Sequence, residues 1–295
     1  MMRNSDVFLN DDEINRKLKQ LQNRTTLGIL LTIGGGIFLL TSIIPVNLTL
    51  LFLGLGLLIA GITVISVTAP KKKQLAADSI IPSVISQVLE NSRYSRNGMI
   101  SPRIIRSTNM GFPFSFEELR GGDYITGTYH GLTLHASDVE LVDIRVVHTK
   151  NGTHTEEFTE FRGPWIMCDF GKELAADVLL SERTALGKLF AKSGIQTESE
   201  AFNKRFCIRS DSEHDAFYLL TPHMMEHILK ADLLADGDTY LRFQRNGVVH
   251  IAINNGKNHF EVKNSTAEEL RQQFLQELQS ITDIIDALRL AETIS

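Results

Sequence analysis

Hydrophobic and polar positions fall into three regimes along this chain. In the first, residues 25–70 contain no Asp, Glu, Lys, Arg or His. Within them, 25–44 (TTLGILLTIGGGIFLLTSII) and 48–67 (LTLLFLGLGLLIAGITVISV) are each 20 residues long. At about 1.5 Å per residue, each run as a helix spans the roughly 30 Å hydrocarbon core of a bilayer. The separating PVN at 45–47 predicts a tight reversal, because Pro45 lacks a donor and Asn47 favours a turn. A polar segment precedes the first run, no small-residue cleavage site follows it, and a second span comes at once. A signal peptide has none of these features.

The flanks are helical in period. Ahead of the hairpin, Asp11 or Asp12 caps a short helix with Ile14, Leu18 and Leu21 on one face. Behind it, 74–91 repeats the pattern with Ile81, Val84, Ile85 and Val88, and Pro82 starts or kinks that helix.

From about Gly98 the period moves towards two. Asn151-Gly152 and Asn246-Gly247 each sit between β-rich runs and predict hairpin turns. Thr221-Pro222 predicts a helix start. Ser265 and Thr266 each have a Glu three residues later, the capping-box pattern of a long final helix. Its apolar face is Leu270, Phe274, Leu278, Ile281, Ile285 and Leu288. Such a stripe packs on a core or forms a coiled-coil seam.

The predicted fold class is α+β: an N-terminal transmembrane helical hairpin, then a soluble domain with a mainly antiparallel sheet and a long C-terminal helix. The predicted organisation is a cytoplasmic amphipathic segment (1–24), the hairpin (25–70), a juxtamembrane helix (71–97) and a cytoplasmic α+β domain (98–295).

Charge adds orientation. Arg3, Arg16, Lys17, Lys19 and Arg24 precede the hairpin, Lys71, Lys72 and Lys73 follow it, and its turn has no cation. The positive-inside rule then predicts an inner (plasma) membrane protein of two spans with both termini cytoplasmic. The lysine triplet is predicted to meet anionic headgroups of the lipid bilayer. In that orientation the glycosylation triplets at Asn47, Asn151 and Asn264 go unused. The net charge of −5 leaves no overall basic field for nucleic acid. The two cysteines, Cys168 and Cys207, read as free thiols of a reducing compartment. Glycines crowd both spans; Gly56 and Ala60, four apart, allow close helix approach, within the hairpin or in a homo-oligomer.

Candidate chemistry is sparse. Asp169-Phe170-Gly171 matches the metal-binding tripeptide of protein kinases. Kinase chemistry also needs a phosphate-covering glycine loop and a His-Arg-Asp loop, and the part beyond the hairpin contains neither. The tripeptide therefore reads as a strand terminus, with Phe170 packed inward and Asp169 capping the turn.

HMMEH at 223–227 fits the inverted zinc-peptidase pattern: His223 and His227 one turn apart as ligands, Glu226 as base. Spacing identifies no third ligand; nothing but their presence in the chain nominates Glu277 or Glu292, and Asp211 and His214 lie nearby in sequence. The acidic stretch 211–215 reads as a helix start capped by Asp211 or Ser212. Trp165 reads as core.

The expectation is a membrane-anchored, non-enzymatic protein-binding or sensing domain at the cytoplasmic face, without cofactor. The alternative is a membrane-tethered zinc-dependent hydrolase using HMMEH.

Several blocks together resemble a family. They are Gly122-Asp123-Tyr124-Ile125 with Gly127, FRGPWIMCDFGK at 161–172, and FNKRFCIRSDSEHDAFYLLTPHMMEHIL at 202–229. In the last, Phe202, Phe206, Ser210, Asp211, Ala216, Tyr218, Leu220, Thr221 and Pro222 follow the pattern. The chain resembles the bacterial membrane family known as domain of unknown function 3137. The resemblance implies a two-span hairpin and one α+β domain, and it carries no established activity or catalytic residues. It also suggests partnership with a membrane-associated helical protein of the LemA type.

Overall fold

The computed structural model describes residues 11–43, 47–110, 112, 115–149, 152–169, 171, 173–174, 176–183, 194–262 and 265–288. The chain divides into two compact units, 1–84 with 261–273, and 85–260 with 274–295.

The first unit is built on α1 (Asp11–Ile43) and α2 (Leu48–Leu75). The amphipathic segment and the first apolar run thus form one continuous helix. Ile14 and Leu18 are buried on it, and Leu21 is half-buried. Residues 44–46 of the predicted reversal lie outside the described residues; Asn47 caps α2, its Oδ1 accepting from the N–H groups of Thr49 (3.1 Å) and Leu50 (3.3 Å).

Beyond α2 the helix continues through a π-helical turn (Ala76–Ile80) into α3 (Ile81–Val88). The wide turn directly precedes Pro82, which has no N–H to give and whose ring crowds the carbonyl four residues back. The helix stops at Val88, and Glu90 opens a strand, where the periodicity alone carried the helix to Asn91. Within the same unit, Arg271 at the start of α8 (Ala267–Ala287) donates to Asp11 (2.7 Å) and Ser83 (2.5 Å).

Small residues make the α1–α2 seam. A Cβ on Gly35 would lie 2.7 Å from the Gly54 carbonyl oxygen, and one on Gly61 would lie 2.6 Å from that of Gly28. Gly28, Gly35 and Ser42 on α1, and Gly54, Gly61 and Thr68 on α2, are all buried. Their spacing is seven, the period of a left-handed helix pair. A Cβ on Gly56 would meet nothing within 4 Å, and Gly56 and Ala60 are exposed. The predicted four-residue face is therefore not the one that closes the hairpin.

The second unit holds one sheet, in the order β1 (Glu90–Ser95), β2 (Glu118–Tyr129), β3 (Leu132–Thr149), β4 (Gly152–Asp169), β8 (Val248–Asn254), β7 (Asp238–Phe243), β5 (Val178–Glu182), β6 (Phe206–Ser210). Every pairing is antiparallel. The helices α4 (Pro102–Ser107), α5 (Glu200–Arg205), α6 (Glu213–Leu219) and α7 (Pro222–Leu234) complete the α+β fold with α8.

The β3–β4 pair runs past its neighbours. β2 joins β3 only as far as Val142, and β8 joins β4 only from Trp165. Asn151 of the first predicted turn lies outside the described residues. The second turn is as predicted: Gly247 has φ +82°, and the Gln244 N–H donates to the Val248 carbonyl (2.9 Å).

Caps follow the sequence signals. Thr221 Oγ1 accepts from the Met224 N–H (3.2 Å), with Pro222 in the first turn. Thr266 and Glu269 form the reciprocal capping box, at 3.3 and 2.8 Å. Ser212, rather than Asp211, caps α6. The α8 stripe Leu270, Phe274, Leu278, Ile281, Ile285 and Leu288 is buried within the chain, as a packing face is.

Candidate functional site

The two faces of the sheet differ in chemistry. Side chains directly opposite across antiparallel strands share a face. One lateral row reads Ile208, Leu180, Leu241, Ile251, Ile166, Ala136 across β6, β5, β7, β8, β4 and β3, and every member is buried. One residue along, on the other face, the same six strands carry Arg209, Leu179, Arg242, His250, Met167 and His135.

This second face is packed at its centre. Ile100, Ile105 and Met110 cluster with Val139, Leu141, Phe161, Trp165, Leu179 and Tyr240. Phe112 contacts the rings of Tyr240 (4.7 Å) and Phe161 (5.4 Å). Trp165, fully buried, is core as predicted. Its Nε1–H donates to His250 Nδ1 (3.3 Å), which leaves the neutral imidazole proton on Nε2. Burial, reinforced by the Arg242 charge, pushes His250 down to about 4.

His259 has the opposite environment. Burial alone lowers its pKa, but its Nδ1 lies 3.0 Å from the Asp138 carboxylate, and the net shift is upward.

At one end of this face a cleft of about 240 Å³ opens, lined by Asn109, Asp177, Leu179, Arg209, Ser210, Asp211 and Arg242. Asp177 accepts from Arg242 Nη2 (3.1 Å) and from the Arg245 N–H (2.8 Å). Asp211 accepts from Arg245 Nη2 (2.5 Å). Arg242 Nε is buried and has no hydrogen-bond partner among the described residues. Sequence reasoning missed this cleft, because its residues come from strands distant in the chain and carry no local motif.

The predicted candidates are placed as follows. His223 and His227 occupy the first two turns of α7, with Nε2 atoms 2.9 Å apart. His223 and Glu226 are exposed and His227 is half-buried. Glu277 accepts instead from the Phe260 N–H (2.5 Å), and Glu292 lies outside the described residues. His214 is 3.4 Å from the Tyr218 hydroxyl. Among the described residues, no three His, Cys, Asp or Glu side chains form a group able to hold a metal ion.

Asp169 ends β4, and its Oδ1 accepts from the Gly171 N–H (2.9 Å) in a turn where Gly171 has φ +67°. That is the strand terminus expected; Phe170 lies outside the described residues. Cys168 and Cys207 are free and buried, and burial pushes the Cys168 thiol up to about 12. Of the three lysines, Lys71 and Lys73 are exposed while Lys72 is buried, because consecutive helical residues turn through about 100°.

The helices α1 and α2 both contain stretches long and apolar enough to cross a membrane. Several of their hydroxyls are satisfied within the helix: Thr32 donates to the Gly28 carbonyl (2.9 Å), Ser42 to Leu39 (2.7 Å), Thr63 to Ile59 (2.7 Å) and Thr68 to Val64 (2.5 Å).

Among known proteins, residues 159–290 match the family model described as "Protein of unknown function (DUF3137)". The resemblance read from the sequence therefore holds over that stretch, which takes in the blocks at 161–172 and 202–229. The Gly122–Gly127 block lies outside it. No curated protein and no solved structure matches the chain.

Proposed function

We propose that this chain is a two-span integral protein of the inner membrane, with both termini and the sheet domain on the cytoplasmic side. There it acts as a non-enzymatic protein-binding or sensing domain. One observation carries the reading: the hairpin turns large apolar side chains outward, with Leu30, Leu40 and Phe52 each more than 60% exposed, and closes on glycine. Water penalises such a surface and lipid does not. The cations on both flanks and their absence from the turn support the orientation. Lys71 and Lys73 are the surface cations next to the second span. The partner class favoured by the family resemblance is a membrane-associated helical protein of the LemA type.

The test is membrane fractionation with topology reporters at each terminus. Retention in the pellet after alkaline carbonate, with cytoplasmic signal from both ends, is expected. Release by carbonate, or a periplasmic signal from either end, overturns the reading.

The alternative, zinc hydrolysis, is favoured only by the convergence of His223 and His227. Metal analysis of the full chain in detergent discriminates. Stoichiometric zinc that disappears on His223→Ala with His227→Ala supports it, and its absence from the purified zinc-supplemented chain rejects it.

A further inference from the structure

We propose that the cleft at the β6–β5–β7 end of the sheet binds a small soluble oxyanion, a phosphate or a carboxylate. Its donors point one way in charge. The Arg242 Nε–H is buried beside the cleft and has no partner among the described residues. Buried polar groups are almost always hydrogen-bonded, so an orphan at a cavity wall marks a missing acceptor. Arg209 lies two strands away in the same lateral row, with only Leu179 between the two arginines. Strand spacing puts their backbones roughly 10 Å apart, within reach of two side chains this long. Arg209 makes no ion pair among the described residues and is exposed at the cleft wall. Asn109, at φ +43°, also lines the cleft.

The two carboxylates of the cleft do not cancel these donors. Asp177 is occupied by Arg242 Nη2 and the Arg245 N–H, and Asp211 by Arg245 Nη2. Arg245 lies outside the cleft lining but neutralises Asp211, so of the two lining arginines Arg242 is matched by Asp177 and the guanidinium fork of Arg209 has no carboxylate among the described residues. Such a fork matches a phosphate or carboxylate with two parallel N–H donors. The volume, about 240 Å³, suits a small solute. The Asp177–Arg242 pair fixes one guanidinium before the ligand arrives, and the exposed Arg209 side chain closes on the anion from two strands away. The inference stands on the sheet-bearing unit alone and is independent of the orientation of the hairpin.

The experiment is calorimetric titration of the full-length chain in maltoside micelles, in low-salt buffer, with inorganic phosphate and separately with succinate. Maltoside carries no phosphate, so binding there assigns the site to a free anion. Saturable one-to-one binding of at least one anion, at a Kd below about 1 mM, is expected. Arg209→Gln should weaken it about tenfold or more, through loss of a charge-assisted pair. Arg209 is exposed and has no ion pair among the described residues, so this variant should melt like the native chain in the absence of anion. Arg103→Gln, an exposed arginine on α4 outside the cleft, should bind like the native chain. Preference for phosphate over succinate, or the reverse, names the ligand class. No saturable binding of either anion, equal binding by Arg209→Gln, or binding confined to nanodiscs of anionic lipid each overturns the proposal.

Discussion

The hairpin and the sheet solve the packing problem in inverse ways. In the hairpin the small residues are inside: Gly28, Gly35, Gly54 and Gly61 are buried, while Leu40 is 68% exposed. In the sheet the large residues are inside: Trp165, Tyr240, Phe161, Phe206 and Phe243 are all fully buried. The inversion teaches which force closes each unit. Sheet closure removes apolar area from water, at about 25 cal/mol per Å². Burying glycine, which has no side-chain carbon, gains almost nothing of that kind. Helix contact through glycine gains dispersion from close backbone approach instead, the term that remains when the solvent is itself apolar.

The largest expected break in this comparison is Trp165→Ala. It empties the aromatic cluster and removes the donor to His250, and should cost the sheet unit about 3–5 kcal/mol. Denaturation in maltoside followed by circular dichroism should show a clear loss for the sheet, while carbonate extraction stays unchanged. An unaltered denaturation midpoint would contradict the placement of Trp165 in the core.

Acid should separate the units next. The folded His250 has a pKa near 4 against 6.5 in the unfolded chain, so between those values the unfolded state binds the proton that the folded state refuses. The stability due to His250 is full above 6.5 and falls by up to about 3 kcal/mol as pH drops towards 4. His259 has the opposite sign: its raised pKa stabilises below 6.5, and that contribution fades as pH rises through the folded value. Residues 25–70 contain no titratable side chain and should be indifferent. His250→Gln should flatten the acid limb of a stability–pH curve; an unchanged slope would remove His250 as its source.

The smallest effect lies within the hairpin. Gly61→Leu places a side chain against the Gly28 carbonyl and should cost about 1–3 kcal/mol of helix pairing. Gly56→Leu, with open space around its Cβ, should change it by less than about 0.5 kcal/mol. Disulfide trapping between engineered cysteines on α1 and α2 reads the difference. Equal trapping in the two variants would put the seam on another face.

Much of the fold was legible because its signals are local. Uncharged runs, the Thr221-Pro222 start, the Thr266–Glu269 box and Asn246-Gly247 each specify a few neighbouring residues, and each appears where the chain placed it. β1 was not legible. ENSRYS has neither alternation nor β-branched residues, and it is a strand because β2 pairs with it. The glycine seam was legible in principle, through a spacing of seven repeated in both runs, but Gly56 and Ala60 carry the commoner small-residue spacing of four and mask it. The Arg209–His135 row was not, since six strands must pair before its members meet. The HMMEH pair illustrates the converse: a local pattern can bring two ligands together, but a third must come from the tertiary fold.

The overhang of β3 and β4 has a consequence for colloidal behaviour. Beyond Val142 and before Trp165 the ribbon has no further strand beside it among the described residues; Glu117 and 254–256 cover the start of the overhang, and nearer the turn both edges are open. Open edges recruit other chains, and tethering to a membrane would crowd identical copies together. Here the ribbon carries Arg145 paired with Glu160 and His154 beside Glu156, and its Glu157 is paired with Arg120 of β2. Any strand arriving from a second copy would have to strip water from these charges. Charges of this kind are how exposed strand edges are blunted against pairing with a second copy.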